Sequence, residues 1–278
     1  KSADLRRIVN TALERNQKKY QIQLKQQKDA QKREKYKLYG ELINVYGYNL
    51  EEGARELIAP NFYDNNKEIR IPLDATKTAR ENSQKYFDRY GKLKRTAEAL
   101  DTLLSETKAE IDHLESIQNS LDIALSADDL VQIKQELMEY GFIKKHRTGK
   151  KEKVKSKPFH YLSSDGYDMY VGKNNYQNDE LTFKFATGND WWFHAKGMPG
   201  SHVVVKNKGE EMPDRVYEEA AMLAGYYSKG RESDKIEIDY LQKKNVKKPA
   251  GSAPGFVVYY TNFSMTIHPD ISALTLVE

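Results

Sequence analysis

Between about residues 78 and 125 the apolar positions fall on two interleaved seven-residue ladders. Tyr86, Leu93, Leu100, Thr107, Leu114 and Leu121 form one, and Tyr90, Ala97, Leu104, Ile111, Gln118 and Leu125 the other. This is the a/d seam of a coiled coil. Residues 1 to about 47 carry a thinner stripe: Leu5, Val9, Leu13, Tyr20, Leu24, Leu38, Leu42 and Val45 in a proline-free run whose first glycine is Gly40. That pattern predicts one long helix in need of a partner. The two arms match in length and are joined by a short insert, so an antiparallel hairpin is expected. The insert, at about 48–77, reads as a short helix from Glu51 to Ala59, turns at Pro60-Asn61 and Asp64-Asn65-Asn66, and a small strand Glu68–Leu73. Phe62 and Tyr63 there either pack on the helix ends or meet a partner. A further helix at about 128–140 has the capping-box spacing Ser126-x-x-Asp129 and a stop at Gly141. Its stripe of Leu130, Ile133, Leu137 and Met138 is expected to fold back on the hairpin base.

From Pro158 the period shortens to that of strands, at 159–162, 167–171, 181–186, 190–205, 235–240, 256–260 and 264–268. One helix interrupts them at about 213–228, with Pro213 suited to its first turn and Ala220, Ala221, Leu223 and Ala224 on its inner side. The fold class is therefore α followed by α+β. A long antiparallel coiled-coil hairpin with a small insert at its tip (1–143) and a basic linker (144–157) precede a compact α+β domain (158–278). That domain has a mostly antiparallel sheet and one main helix.

Composition sharpens this picture. Charged residues make up 31% and hydrophobic ones 38%, too few apolar side chains for one compact globule of 278 residues, so an elongated part is expected. Residues 1–37 hold 12 basic and 4 acidic residues, whereas 101–139 hold 2 and 10, which sets a basic arm against an acidic one. The net charge of +4 divides unevenly, because residues 158–278 carry 13 Lys and Arg against 16 Asp and Glu. Nucleic-acid binding there requires a local patch. The linker offers Lys144, Lys145, Arg147, Lys150 and Lys151, read either as a flexible solvated spacer or as a polyanion site. There is no cysteine, hence no disulfide or thiolate site. No apolar run approaches the roughly 18 residues of a membrane span. The opening residues read as the inside of a helix, so a piece of a longer protein is expected, and the oligomeric state is not legible.

Chemistry concentrates in residues 189–205. Strand alternation places Trp191 and Phe193 on one face and Asp190, Trp192 and His194 on the other, followed by the turn at Pro199-Gly200 and then Ser201-His202. Two readings stand: structural packing with the imidazoles bonded to turn backbone, or stacking and edge recognition of an unpaired nucleotide. No metal is expected, because no further His/Asp/Glu cluster completes a shell, and adjacent Ser201 and His202 point to opposite faces and make no nucleophilic pair. A second loop sets Lys243, Lys244, Lys247 and Lys248 before Pro249–Gly255. Its small side chains would let backbone approach a phosphate, but it has no Walker spacing.

The pattern Asp190-Trp191…His194…Pro199-Gly200-Ser201-His202, followed by Lys247-Lys248 and Gly251, resembles the C-terminal NFACT-R domain of the NFACT family. That family holds the bacterial RqcH or fibronectin-binding protein A-like proteins and eukaryotic NEMF. The preceding hairpin, with Leu73-Asp74 leading to Glu81-Asn82 and Tyr86-Phe87, resembles the same family's middle region. The resemblance implies a cytoplasmic ribosome-associated quality-control factor that binds the obstructed large ribosomal subunit and tRNA and supports untemplated alanine tailing of the nascent chain. Asp190, Trp191, His194, Pro199, Gly200, Ser201 and His202 would be its binding residues, with Lys247, Lys248 and Gly251 beside them. No cofactor is implied, and the chain would be a binding module rather than an enzyme. Relatives in streptococci are also described as fibronectin-binding surface adhesins, which makes host fibronectin the alternative partner.

Overall fold

The structure is a computed structural model and describes residues 1–145 and 149–278. It divides into two compact units, residues 16–109 and residues 1–15 with 110–278. Two helices, α1 (Ser2–Ala30) and α3 (Ala79–Ile123), contribute to both.

In the unit of residues 16–109, α1 continues after a two-residue turn as α2 (Arg33–Tyr46). The single helix expected over 1–47 is thus interrupted at Gln31-Lys32, where backbone bonds shift to three-residue spacing, with Lys32 N–H on Asp29 O and Lys35 N–H on Lys32 O. Pairing with α3 is fixed by Gln27 Nε2 donating to Asp101 at 2.6 Å and by the buried bond from Thr107 Oγ1 to Gln23 Oε1. A buried polar pair within an apolar seam specifies register. Gly40 is the point of closest approach: a Cβ there would lie 2.7 Å from the Phe87 ring.

The insert forms a β-hairpin, β1 (Glu56–Asn61) and β2 (Lys67–Pro72), with Asn65 and Asn66 at positive φ in its turn. The short helix expected from Glu51 to Ala59 is absent. Gly53, at φ +81, breaks the chain, and Leu57 and Ala59 point inward with strand alternation onto Leu42, Ile43 and Ile71. The start of α3 carries a reciprocal capping box in which Thr78 Oγ1 accepts from Glu81 N–H and Glu81 accepts from Thr78 N–H. Ser126-x-x-Asp129 departs from that arrangement. Ser126 makes no side-chain cap, and Asp129 accepts from Leu125 N–H and Ser156 instead.

In the other unit, the antiparallel pairing of the hairpin base is marked by Arg6 on Asp122 at 2.6 Å and Gln118 on Asn10 at 3.0 Å. Helix α4 (Ala127–Glu139) folds onto this base, where Glu136 meets His113 at 2.7 Å. It ends in a Schellman turn, with Gly141 at φ +82 and Phe142 N–H on Leu137 O. The seam broadens here. Ile117, Asn119 and Ser120 are buried beside Leu114 and Leu121 because α3 is covered on more than one side, whereas the expected seam residue Leu125 lies beyond the helix and is exposed.

The same unit holds a seven-stranded sheet of β3 (Phe159–Leu162), β4 (Asp168–Val171), β5 (Trp191–Ala195), β6 (Val203–Val205), β7 (Ile236–Gln242), β8 (Phe263–Ile267) and β9 (Thr275–Leu276). The strand order is β8-β7-β5-β6-β4-β3-β9, antiparallel throughout. Two helices accompany it, the short α5 (Asn175–Glu180) and α6 (Asp214–Tyr226), and α6 covers one face with Val216, Ala220, Leu223 and Ala224. Two expected strands are something else. Residues 181–186 continue α5 as a π-helical turn, Leu181–Phe185, with Ala186 N–H on Leu181 O. Residues 256–260 form a loop with one bridge, Lys247 to Val258, and bring Val257 and Tyr259 onto the second face. The α6 face and this second face therefore both have a core, and Trp192 centres the second.

Candidate nucleic-acid interface

Strand alternation in β5 separates the two indoles as expected: Trp191 and Phe193 pack on the α6 side, and Trp192 on the other. Trp192 is the fully buried one. Its Nε1–H donates to Thr182 Oγ1 at 3.1 Å, Thr182 Oγ1 lies 2.7 Å from His202 Nδ1, and His202 Nε2 lies 2.9 Å from Gly255 O. A carbonyl only accepts, so His202 Nε2 carries the proton. Nδ1 then accepts from the threonine hydroxyl, and the chain of bonds runs from indole to carbonyl with a neutral imidazole. Burial, and next the neighbouring His194, push His202 down to about 3. His194 lies stacked on Trp192 at 5.6 Å and is also lowered, chiefly by burial.

The remaining motif residues hold turns together. Asp190 is buried, accepts from Thr187 N–H, Asn207 N–H and Lys206 Nζ, and is held low because these donors outweigh the burial that would raise it. Pro199 O accepts from Lys229 N–H, Gly200 bridges Ser228, and Ser201 N–H donates to Tyr227 O. Gly251 is exposed in a turn at φ +73. Lys248 is folded inward, donating to Ala253 O and Phe256 O and lying 3.4 Å from Asp179, so its charge is internally matched. Gly255 is compelled twice over: its φ is +79, and a Cβ would stand 2.5 Å from Asn175 Oδ1.

Helix α5, which sequence pattern alone does not single out, ties these parts together. Asn174 caps Gln177 N–H, Asn175 Nδ2 donates to Ser116 Oγ on α3 and to Glu136 on α4, Asn178 Oδ1 accepts from His202 N–H, and Asp179 accepts from Gly255 N–H. A run of Asn and Gln reads as loop. Its packed role shows in the structure, where a Cβ at Gly172 would stand 2.0 Å from Asn178 Oδ1 and one at Gly255 2.5 Å from Asn175 Oδ1.

Cations and rings, some exposed and some half-buried, gather at one margin of the Trp192 face. Lys206 Nζ lies 4.7 Å over Phe185, Phe185 meets Tyr170 edge-on at 4.8 Å, and Lys243 Nζ lies 5.8 Å from Phe183. Lys244 N–H donates to Gly188 O, and Lys247 Nζ to Lys244 O. Lys184 adds a further charge, bridged among the described residues only to exposed Glu180. Lys243, Lys244 and Lys247 have no carboxylate partner among the described residues. Lysines around partly exposed rings suit a phosphate backbone with stacked bases. From the linker, Lys144, Lys145, Lys150 and Lys151 are exposed, and Arg147 lies outside the described residues. The linker's later part lies along α4, through Gln135 to Glu152 O and Ser156 to Asp129. Among the described residues no three His, Asp or Glu converge as metal ligands, and no helix is long and apolar enough to cross a membrane.

Comparison with known proteins gives two adjoining family matches: NFACT N-terminal and middle domains over residues 1–156, and the NFACT protein RNA binding domain over residues 157–260. The chain is 38% identical over 270 residues to the Rqc2 homolog RqcH of Streptococcus pneumoniae, covering 97% of this chain and 48% of that protein. It is 34% identical over 271 residues to its Bacillus subtilis counterpart, covering 96% and 47%. The chain thus spans about half the length of the curated relatives it matches. Among solved structures, the C-terminal part of the fibronectin/fibrinogen-binding protein from Streptococcus suis superposes with a TM-score of 0.76 at 35% identity, covering 97% of this chain and 94% of that one.

Proposed function

Since this chain belongs to the NFACT family, with that family's RNA-binding domain at its C-terminal end, we propose that it is the RNA-contacting half of a cytoplasmic ribosome-associated quality-control factor. Its targets in this reading are the obstructed large ribosomal subunit and tRNA, and the parent protein supports untemplated alanine addition to the stalled chain. The observation that carries the proposal is the basic-aromatic margin of Phe183, Lys184, Phe185, Lys243, Lys244 and Lys247. It is a local cationic patch on a domain whose formal balance is negative. In this reading the Asp190-Trp192-His202 assembly acts from inside. It holds the 186–190 loop and the 246–260 loop at the spacing that presents the lysines, and the chain binds rather than catalyses.

The test is binding to purified large subunits carrying peptidyl-tRNA and, separately, to immobilised fibronectin, each across a salt series. The solved relative from Streptococcus suis, named for fibronectin and fibrinogen, makes fibronectin the fair competitor. Tight subunit binding that weakens steeply with salt supports the proposal. Saturable, salt-insensitive fibronectin binding without subunit binding overturns it in favour of adhesion.

A further inference from the structure

On the α6 side, away from the lysine margin, an open cleft of about 660 Å³ lies between α6 and the edge strand β8. Four aromatic rings wall it: Trp191, Tyr217, Tyr240 and Phe263. Trp191 meets Tyr217 edge-on at 4.9 Å, and Tyr240 lies 5.5 Å from Phe263 and 5.8 Å from Tyr217. The rings are held in place, since Phe193 stacks on Tyr240 at 5.4 Å from within the core. Asp214 and Glu218, one turn apart on α6, stand at the rim, exposed and without an ion pair among the described residues. No Lys or Arg lines the cleft, and the one histidine in its lining, His268, has its Nδ1 on Asp234 O at 2.6 Å.

Ring faces are negative and attract a cation within about 6 Å, more strongly when carboxylates stand nearby, whereas a phosphate is repelled by both. The cleft is therefore complementary to positive charge and not to the RNA backbone. Its outer wall adds a second constraint. No strand pairs with the outer edge of β8 among the described residues, and alternate residues Phe263 and Met265 turn into the cleft. An extended segment can hydrogen-bond to such an edge while placing every second side chain inside.

We propose that this cleft docks an extended basic peptide of a partner protein, one strand added to β8 with an arginine side chain held among the four rings and under Asp214 and Glu218. The site is independent of the RNA-binding reading, because it uses the opposite face and the opposite charge.

Trp192 is buried, so ligand-dependent changes in fluorescence report Trp191. The chain is titrated with the blocked peptide Ac-Val-Arg-Val-Thr-NH2 and with its citrulline counterpart, which keeps the shape and loses the charge. The expected result is saturable quenching by the arginine peptide and binding about tenfold weaker for citrulline. The double variant Asp214→Asn, Glu218→Gln, at exposed positions and with an unchanged circular dichroism spectrum, loses about the same factor while its RNA affinity is unaltered. Equal binding of the two peptides, undiminished binding by the double variant, or displacement of the peptide by single-stranded RNA each overturns the proposal.

Discussion

At the scale of single residues, His202 governs how the C-terminal sheet responds to acid. Its imidazole is pushed from the ordinary value near 6.5 to about 3. The folded state thus refuses a proton that the unfolded chain accepts throughout that interval, and stability falls as pH drops below about 6.5. His194 acts in the same direction, and Asp190, held low, adds its loss only below the ordinary carboxylate range. Urea midpoints should change little from pH 7.5 to about 6.5 and fall from there to 4.5. In His202→Gln the midpoint should start lower and the slope should flatten; a slope equal to wild type would place the titrating group elsewhere. Gly255→Ala should cost about 1–3 kcal/mol, since the methyl meets both an unfavourable φ and Asn175 Oδ1. A midpoint unchanged from wild type would show that the loop shifts freely.

At the scale of elements, α5 is held by side-chain amides rather than by apolar burial. Asn175→Leu strips Glu136 and Ser116 of a donor each and should destabilise the unit by about 1–3 kcal/mol, read from urea denaturation. Wild-type stability would mean that water replaces the amide at no cost. The same region is the hardest to read from sequence. Strands β3 to β8 are legible because alternation tracks a sheet with a core on each side, and α6 because its alanines form one stripe. The Leu181–Ala186 run alternates just as well, yet it winds into a π turn: α5 precedes it, and Leu181 and Ala186 reach the Trp192 core from a coil. Val257 and Tyr259 look like strand residues for the same reason, and they pack from a loop joined by one bridge to Lys247, outside the sheet. In the first arm the pattern carries helix through 1–47 but not the break at Gln31-Lys32, where no Pro or Gly marks it. At the motif, spacing tells which face each indole takes. The burial of Asp190 and His202 depends on Thr182, Asn178 and Lys206, distant enough in sequence to be invisible as a pattern.

At the scale of the whole molecule, charge sorts the surfaces. The acidic excess of residues 158–278 sits partly on α6, and the unmatched lysines gather at the margin of the opposite face, so a net charge near neutral conceals two surfaces of opposite preference. Lys248 shows why counting basic residues in a loop misleads: it is spent on Asp179 and two carbonyls, and Lys248→Glu would disturb the loop itself. Lys243 and Lys244 are the cleaner probes, since among the described residues neither side chain is bound to another element except for Lys243 beside Phe183. RNA binding through the lysine margin is tested most directly by the salt dependence of single-stranded RNA affinity in wild type and in Lys243→Glu, Lys244→Glu, with folding checked by circular dichroism. The variant should bind more weakly, with a log-log salt slope shallower by about 0.7 for each phosphate it no longer neutralises. A folded variant with wild-type affinity and slope would contradict an RNA-binding role for this margin.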